Sequence, residues 1–216
     1  MNAENTGKRH RAWLVFGGLC LYYFVAFGLL FSSLGLFLSP MSEDLGIPYV
    51  QISITSTVRV LAGMVTTALL GEIARRVKLR RVIVVSLVLL IGVLVWISFS
   101  SGLWEFLFAF VLLGFLCGLT CYGIVPVILN QWFTAPATCI TIASACGGLG
   151  AVVFCPIISG VIADYGWRVG YRCMAGLILA IMLPVAFFLL DYRPADRGLS
   201  ILENRPHREK LLPKHK

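Results

Sequence analysis

Arg59 lies about halfway along the apolar stretch Gln51–Leu70. A guanidinium at that depth has two uses. It attracts an anion, or it serves the fold by snorkelling or by bonding to neighbouring carbonyls. Near the middle of the first apolar stretch stand Leu21-Tyr22-Tyr23-Phe24, and the fourth carries Cys121-Tyr122-Gly123. A phenol in an apolar setting needs a partner for its hydroxyl, so Tyr22, Tyr23 and Tyr122 either line a polar cavity or bond to adjacent backbone. With Arg59 they form a candidate binding set for a small anion.

Other chemistries find no such set. No Asp, Glu, Lys or His stands at the centre of an apolar stretch, so neither a proton relay nor an intramembrane hydrolase has its carboxylates or its base. Gly147-Gly148-Leu149-Gly150 is followed by no lysine and does not make a phosphate loop. The seven cysteines fall in or beside apolar runs, with no CxxC pair and with all three histidines in the tails. They read as small buried hydrophobes, and neither a metal nor any other cofactor is expected.

These side chains need elements to hold them, and composition says which kind. The chain is 59% hydrophobic and only 13% charged, about half the charged share of a soluble domain. A membrane protein is the class that fits. The net charge of +8 points to nucleic acid only where cations share one folded face, and here they gather in both tails and one gap. No nucleic-acid partner is expected; the lipid bilayer is.

Six stretches reach the length of a membrane helix: Ala12–Leu38, Gln51–Leu70, Val82–Phe99, Phe106–Leu129, Cys139–Ala163 and Tyr171–Leu190. The expected class is an all-α six-transmembrane-helix bundle over 12–190, with an N-tail at 1–11 and a basic C-tail at 191–216. Ser39–Val50, Ser100–Glu105, Gln131–Thr138 and Asp164–Gly170 read as links. Gly114 and Gly118 form a GxxxG step for close helix packing, and Pro156 and Gly160 add irregularity to helix five, as Pro126 and Pro184 do to helices four and six. The five tryptophans lie near predicted helix ends, as an interfacial belt requires.

Lys and Arg set the orientation. Three cations precede helix one, five lie within Gly71–Arg81 and seven follow Asp191, all on one side of an even-numbered bundle. The other side receives only Arg168 and Arg172, so both termini and the Gly71–Arg81 gap are expected to be cytoplasmic, in the cell membrane.

Gly71-Glu72-Ile73-Ala74-Arg75-Arg76-Val77-Lys78-Leu79-Arg80-Arg81 resembles the loop between helices two and three of the major facilitator superfamily, G-x-L-A-D-R-x-G-R-R. Gly71, Ala74, Arg76, Arg80 and Arg81 match with one residue of slippage. The family's acid is Arg75 here and its second glycine is Lys78, so the charge-based latch lacks its acid. "FLSPMSEDLG", "VPVILNQWF", "GGLGAVVFCPIISGVIADYGWR" and "DYRPADRGL" are similar to the oxalate/formate antiporter and monocarboxylate-porter branch. Cys155 replaces the glycine before Pro156 in the antiporter pattern, and Ala135-Pro136-Ala137 replaces the basic residues that follow "WF".

The resemblance runs from about Trp13 to Leu199 and corresponds to the first six of the family's twelve helices, two inverted three-helix repeats. It implies half of an alternating-access carrier, not an enzyme. The carrier's site would lie at the midplane between two bundles, and its partner would be a second copy or a separate six-helix half. The implied substrate is a small organic anion, a mono- or dicarboxylate, moved by exchange. The loop residues Gly71, Arg75, Arg76, Arg80 and Arg81 would brace the conformational change. The alternative is a membrane protein that binds or supports a partner without transporting.

Orientation is checked with a Lys78→Cys variant and a membrane-impermeant maleimide. Labelling of residue 78, read by peptide mass spectrometry to separate it from the seven native cysteines, is expected only after the cells are broken open; its labelling in intact cells would reverse the topology.

Overall fold

The computed structural model describes residues 3–76, 79–122, 124–132 and 136–189. The described residues are almost wholly helical and include six helices long and apolar enough to cross a membrane: α1 Val15–Leu45, α2 Tyr49–Leu70, α3 Arg81–Phe99, α4 Leu103–Cys121, α5 Pro136–Tyr165 and α6 Trp167–Phe187. Helices are the natural solution in lipid, because each backbone N–H and C=O must find its partner within the segment. The expected N-tail differs in one respect: helix already begins at Ala3, ahead of α1. The basic tail from 191 lies outside the described residues.

The links are shorter than the sequence indicated. α1 continues beyond Leu38 because a 3₁₀ segment at Ser33–Phe37 resets the hydrogen-bond ladder. Pro40 then falls in the first turn of the helix Leu38–Leu45, where its missing N–H costs little. Between α5 and α6 the expected seven-residue link shrinks to Gly166, whose φ of 82° is open to glycine at little cost. Most of Gly71–Arg81 is also helical: one helix runs Tyr49–Arg76 and the next begins at Leu79. α5 passes through Pro156 without interruption, whereas Pro126 and Pro184 sit in the opening turns of the short helices Ile124–Trp132 and Leu183–Leu189.

Packing follows an internal symmetry. α1 lies along α5, α2 lies along α4, and α3 packs on α6. Exchanging the two three-helix repeats maps the first pair onto the second and the third onto itself, as two inverted repeats require. The match extends to residues. In the α1–α5 crossing, Gly150 lies against the backbone of Phe24, and Gly28 against Phe154 and Gly150. In the α4–α2 crossing, Gly114 lies against the backbone of Arg59, and Gly118 against Gly63 and Thr66. Counterparts stand about ninety residues apart along the chain. Without side chains at these points the helix backbones come close enough for dispersion contacts that lipid cannot supply.

The glycines differ sharply in what surrounds them. A Cβ on Gly118 would lie 2.7 Å from the Gly63 carbonyl oxygen, while one on Gly160 would meet nothing within 4 Å. Gly118→Leu is therefore expected to cost about 1–3 kcal/mol or more through overpacking. Gly160→Leu should leave stability nearly unchanged, as read by thermal unfolding in detergent.

Candidate functional site

Arg59 is the only charged residue among the described ones that is buried, with 5% of its surface exposed. α2 positions it at the crossing with α4, where Gly114 allows the Arg59 backbone to approach. The hydroxyls of α2 do not serve it. Thr55, Thr66 and Thr67 bond to carbonyls of their own helix one turn back, as hydroxyls in membrane helices commonly do. Arg59 instead reaches across to α1 and donates through Nη1 to the Leu30 carbonyl at 3.2 Å. Its Nε–H is buried and finds no partner among the described residues. The thiol of Cys117 lies beside the guanidinium.

The Leu30 carbonyl lies in irregular backbone. Phe27–Ser32 is a π segment, in which the hydrogen-bond ladder is wider by one residue. Side chains donate to two of its carbonyls: Leu30 accepts from Arg59, and Gly28, already bonded to the Ser33 N–H, also accepts from the Ser33 hydroxyl at 2.8 Å. The equivalent stretch of the second repeat, Gly118–Tyr122 in α4, is also a π segment. Its Thr120 carbonyl is taken by the Tyr22 hydroxyl of α1 at 3.1 Å. A third π segment, Ile178–Met182, interrupts α6.

Between the two symmetry-related π segments lies a narrow apolar crevice, too tight to admit a water molecule, lined by Ala26, Phe27, Leu30 and Phe31 of α1 and by Cys117 and Cys121 of α4. Phe27 and Phe31 stack at 4.6 Å and form one wall; the two thiols, one helical turn apart, form the other. Arg59 does not line the crevice. It adjoins two of the lining residues, bonded to the Leu30 carbonyl and next to Cys117.

The expected site residues separate accordingly. Tyr22 is buried and its hydroxyl is committed to Thr120. Tyr23 is buried, stacks along Phe27 at 6.4 Å and faces Gly147 of α5. The side chain of Tyr122 lies outside the described residues, although its backbone closes the α4 π segment. Of the loop set, Arg81 is exposed at the start of α3; the side chains of Arg75, Arg76 and Arg80 lie outside the described residues.

One cluster escaped the sequence reading. Trp167, expected at the lipid interface, is buried, and its indole Nε1–H donates to Asp44 at 2.9 Å. Arg168 bonds to the same carboxylate at 3.2 Å and lies over the Trp167 ring. Arg172 ties α6 to Ser98 of α3 at 2.7 Å. Asp44-Leu45-Gly46 and Gly166-Trp167-Arg168 were both visible as motifs, but nothing in the sequence paired them across 123 residues. They clasp the end of α1 to the start of α6.

Six helices in two inverted repeats, mid-span π segments and a buried arginine at a helix crossing agree with what family comparison finds. The Major Facilitator Superfamily matches residues 15–213. The chain belongs to that superfamily. It is thus a multi-pass membrane protein of a transporter family rather than of an enzyme family, and its helices form the six-helix half of the major facilitator fold. No curated protein matches the chain. In this facilitator the Tyr22 hydroxyl fastens one repeat to the other. Tyr22→Phe is expected to strand the buried Thr120 carbonyl and to lower stability by about 1–3 kcal/mol, seen as a reduced unfolding temperature in detergent.

Proposed function

We propose that the chain works as one half of a carrier for a small organic anion, a mono- or dicarboxylate, moved by exchange across the cell membrane. Both termini and the Gly71–Arg81 connection face the cytoplasm in this reading, and the other half is a second copy or a separate six-helix unit. The observation that carries it is Arg59. A buried guanidinium with one N–H unpaired and no ion-pair partner among the described residues is costly at membrane depth, and an anion offsets that cost. The resemblance of the GWR and RPADRGL motifs to the oxalate/formate and monocarboxylate branch supports the carboxylate class.

Exchange fits better than proton symport because the described spans hold no buried carboxylate to carry a proton. The apolar crevice between Phe27, Phe31, Cys117 and Cys121 must open to take the organic part of such an anion. Tyr23, Tyr122 and the loop residues Gly71, Arg75, Arg76, Arg80 and Arg81 keep their proposed places in lining and in bracing the conformational change.

The test is exchange of labelled acetate and oxalate in vesicles containing the protein. Arg59→Gln is expected to abolish exchange, and Arg59→Lys to retain a fraction of it, because lysine keeps the charge without the planar fork. Normal exchange by the Arg59→Gln protein would remove Arg59 from the site, and no exchange by the unaltered protein would remove the carboxylate reading.

A further inference from the structure

We infer that an anion reaches Arg59 by displacing the Leu30 carbonyl, so that binding is coupled to the backbone of the α1 π segment; this rests on the proposed reading of Arg59 as the anion's partner. Three observations lead there. Arg59 holds the Leu30 carbonyl through Nη1 while its Nε–H goes unpaired, so the guanidinium is only partly satisfied where it stands. Leu30 and Cys117 line the crevice, and both adjoin the guanidinium. The Leu30 carbonyl belongs to a segment whose ladder is already one residue wider than an α-helix's.

A carboxylate is a stronger acceptor for a guanidinium than an amide carbonyl, because both partners are charged and two parallel bonds form. An anion that parts Phe31 from Cys121 therefore competes with Leu30 for Arg59. Once released, the Leu30 carbonyl needs another donor, since an unpaired carbonyl in lipid is costly. The nearest remedy is local: the π segment tightens toward α-helical pairing, in which Leu30 accepts from the Leu34 N–H. That change rotates the Phe27–Phe31 wall relative to Cys117 and Cys121. The π segment thus acts as the movable part, and Arg59 as the residue that couples charge to it.

The second repeat supplies the control. Its equivalent carbonyl, Thr120, is held by Tyr22, a neutral donor with no unpaired charge behind it. An anion has no comparable claim on that hydroxyl, so α4 keeps its π segment while α1 changes. The pseudo-symmetric pair is thereby asymmetric in response: one clasp yields to charge and the other does not. At the position equivalent to Arg59, α5 of the second repeat has Gly150, which carries no donor side chain at all.

The experiment measures alkylation of each cysteine in the full chain in vesicles by N-ethylmaleimide, resolved by peptide mass spectrometry, with and without acetate or oxalate. Cys117 and Cys121 are expected to alkylate several-fold faster with anion present, and Cys173, which does not line the crevice, to be unaffected. Arg59→Gln should lose the anion effect, whereas Tyr22→Phe should keep it. If acetate or oxalate exchanges across the membrane while Cys117 and Cys121 react at an unchanged rate, the coupling is wrong and the carrier reading stands. An anion effect on the thiols without exchange supports the coupling and removes the carrier reading. No effect and no exchange overturns both. If Arg59→Gln fails to fold, the Tyr22→Phe protein and the unaltered protein decide: an anion effect lost in Tyr22→Phe points to general loosening of the bundle and overturns the assignment to Arg59.

Discussion

Every backbone polar group within the bilayer must be paired by the protein itself, and that constraint shapes each part of this molecule. Regular helix satisfies it automatically. Where the ladder widens, at Phe27–Ser32 and Gly118–Tyr122, side chains from other helices donate to its carbonyls, Arg59 to Leu30 and Tyr22 to Thr120. Each bond is also a tether between helices. The irregular turns therefore hold the bundle together at mid-depth, where no hydrophobic driving force distinguishes neighbouring helix from lipid.

The close helix crossings follow from the same physics. In lipid, association depends on contact distance, and Gly28, Gly114, Gly118 and Gly150 remove the side chains that would keep backbones apart. Their counterpart positions in the two repeats show that one local solution is used twice with opposite orientation. The departures from that symmetry fall at the candidate site. Arg59 corresponds to Gly150, and the Phe27–Phe31 wall faces Cys117 and Cys121 at equivalent heights. The symmetric scaffold thus carries an asymmetric crevice, with two phenyl rings on one wall and two thiols on the other.

One end of the bundle is organised differently. Asp44 there accepts from Trp167 and Arg168 together, and the guanidinium stacks on the indole. Partly exposed charges gain little from pairing alone, so the buried indole and its packing against Phe106 and Tyr171 give this clasp most of its geometry. It joins the first helix of one repeat to the last helix of the other, at the end of the bundle away from the Gly71–Arg81 connection.

Much of this was legible in the chain. Six runs of apolar residues, each bounded by glycine, proline or charge, fix the helix count, because hydrocarbon thickness sets the length and the cost of burying charge sets the ends. Arg59 stood out as the one mid-span charge, and Gly114 and Gly118 as a close-packing step, since both signals depend only on residue type and spacing. Boundaries were less legible: the helix beyond Leu38 hides behind Pro40, whose tolerance depends on a 3₁₀ turn that composition does not reveal. Tertiary structure alone decided the partners. Whether Tyr22 lines a cavity or caps a carbonyl, and whether Trp167 meets lipid or Asp44, depends on which helix lies opposite, and hydropathy is blind to that. Sequence determines how a segment partitions between water and oil because that free energy is summed residue by residue; what each polar atom finds there is settled by contacts between residues far apart along the chain.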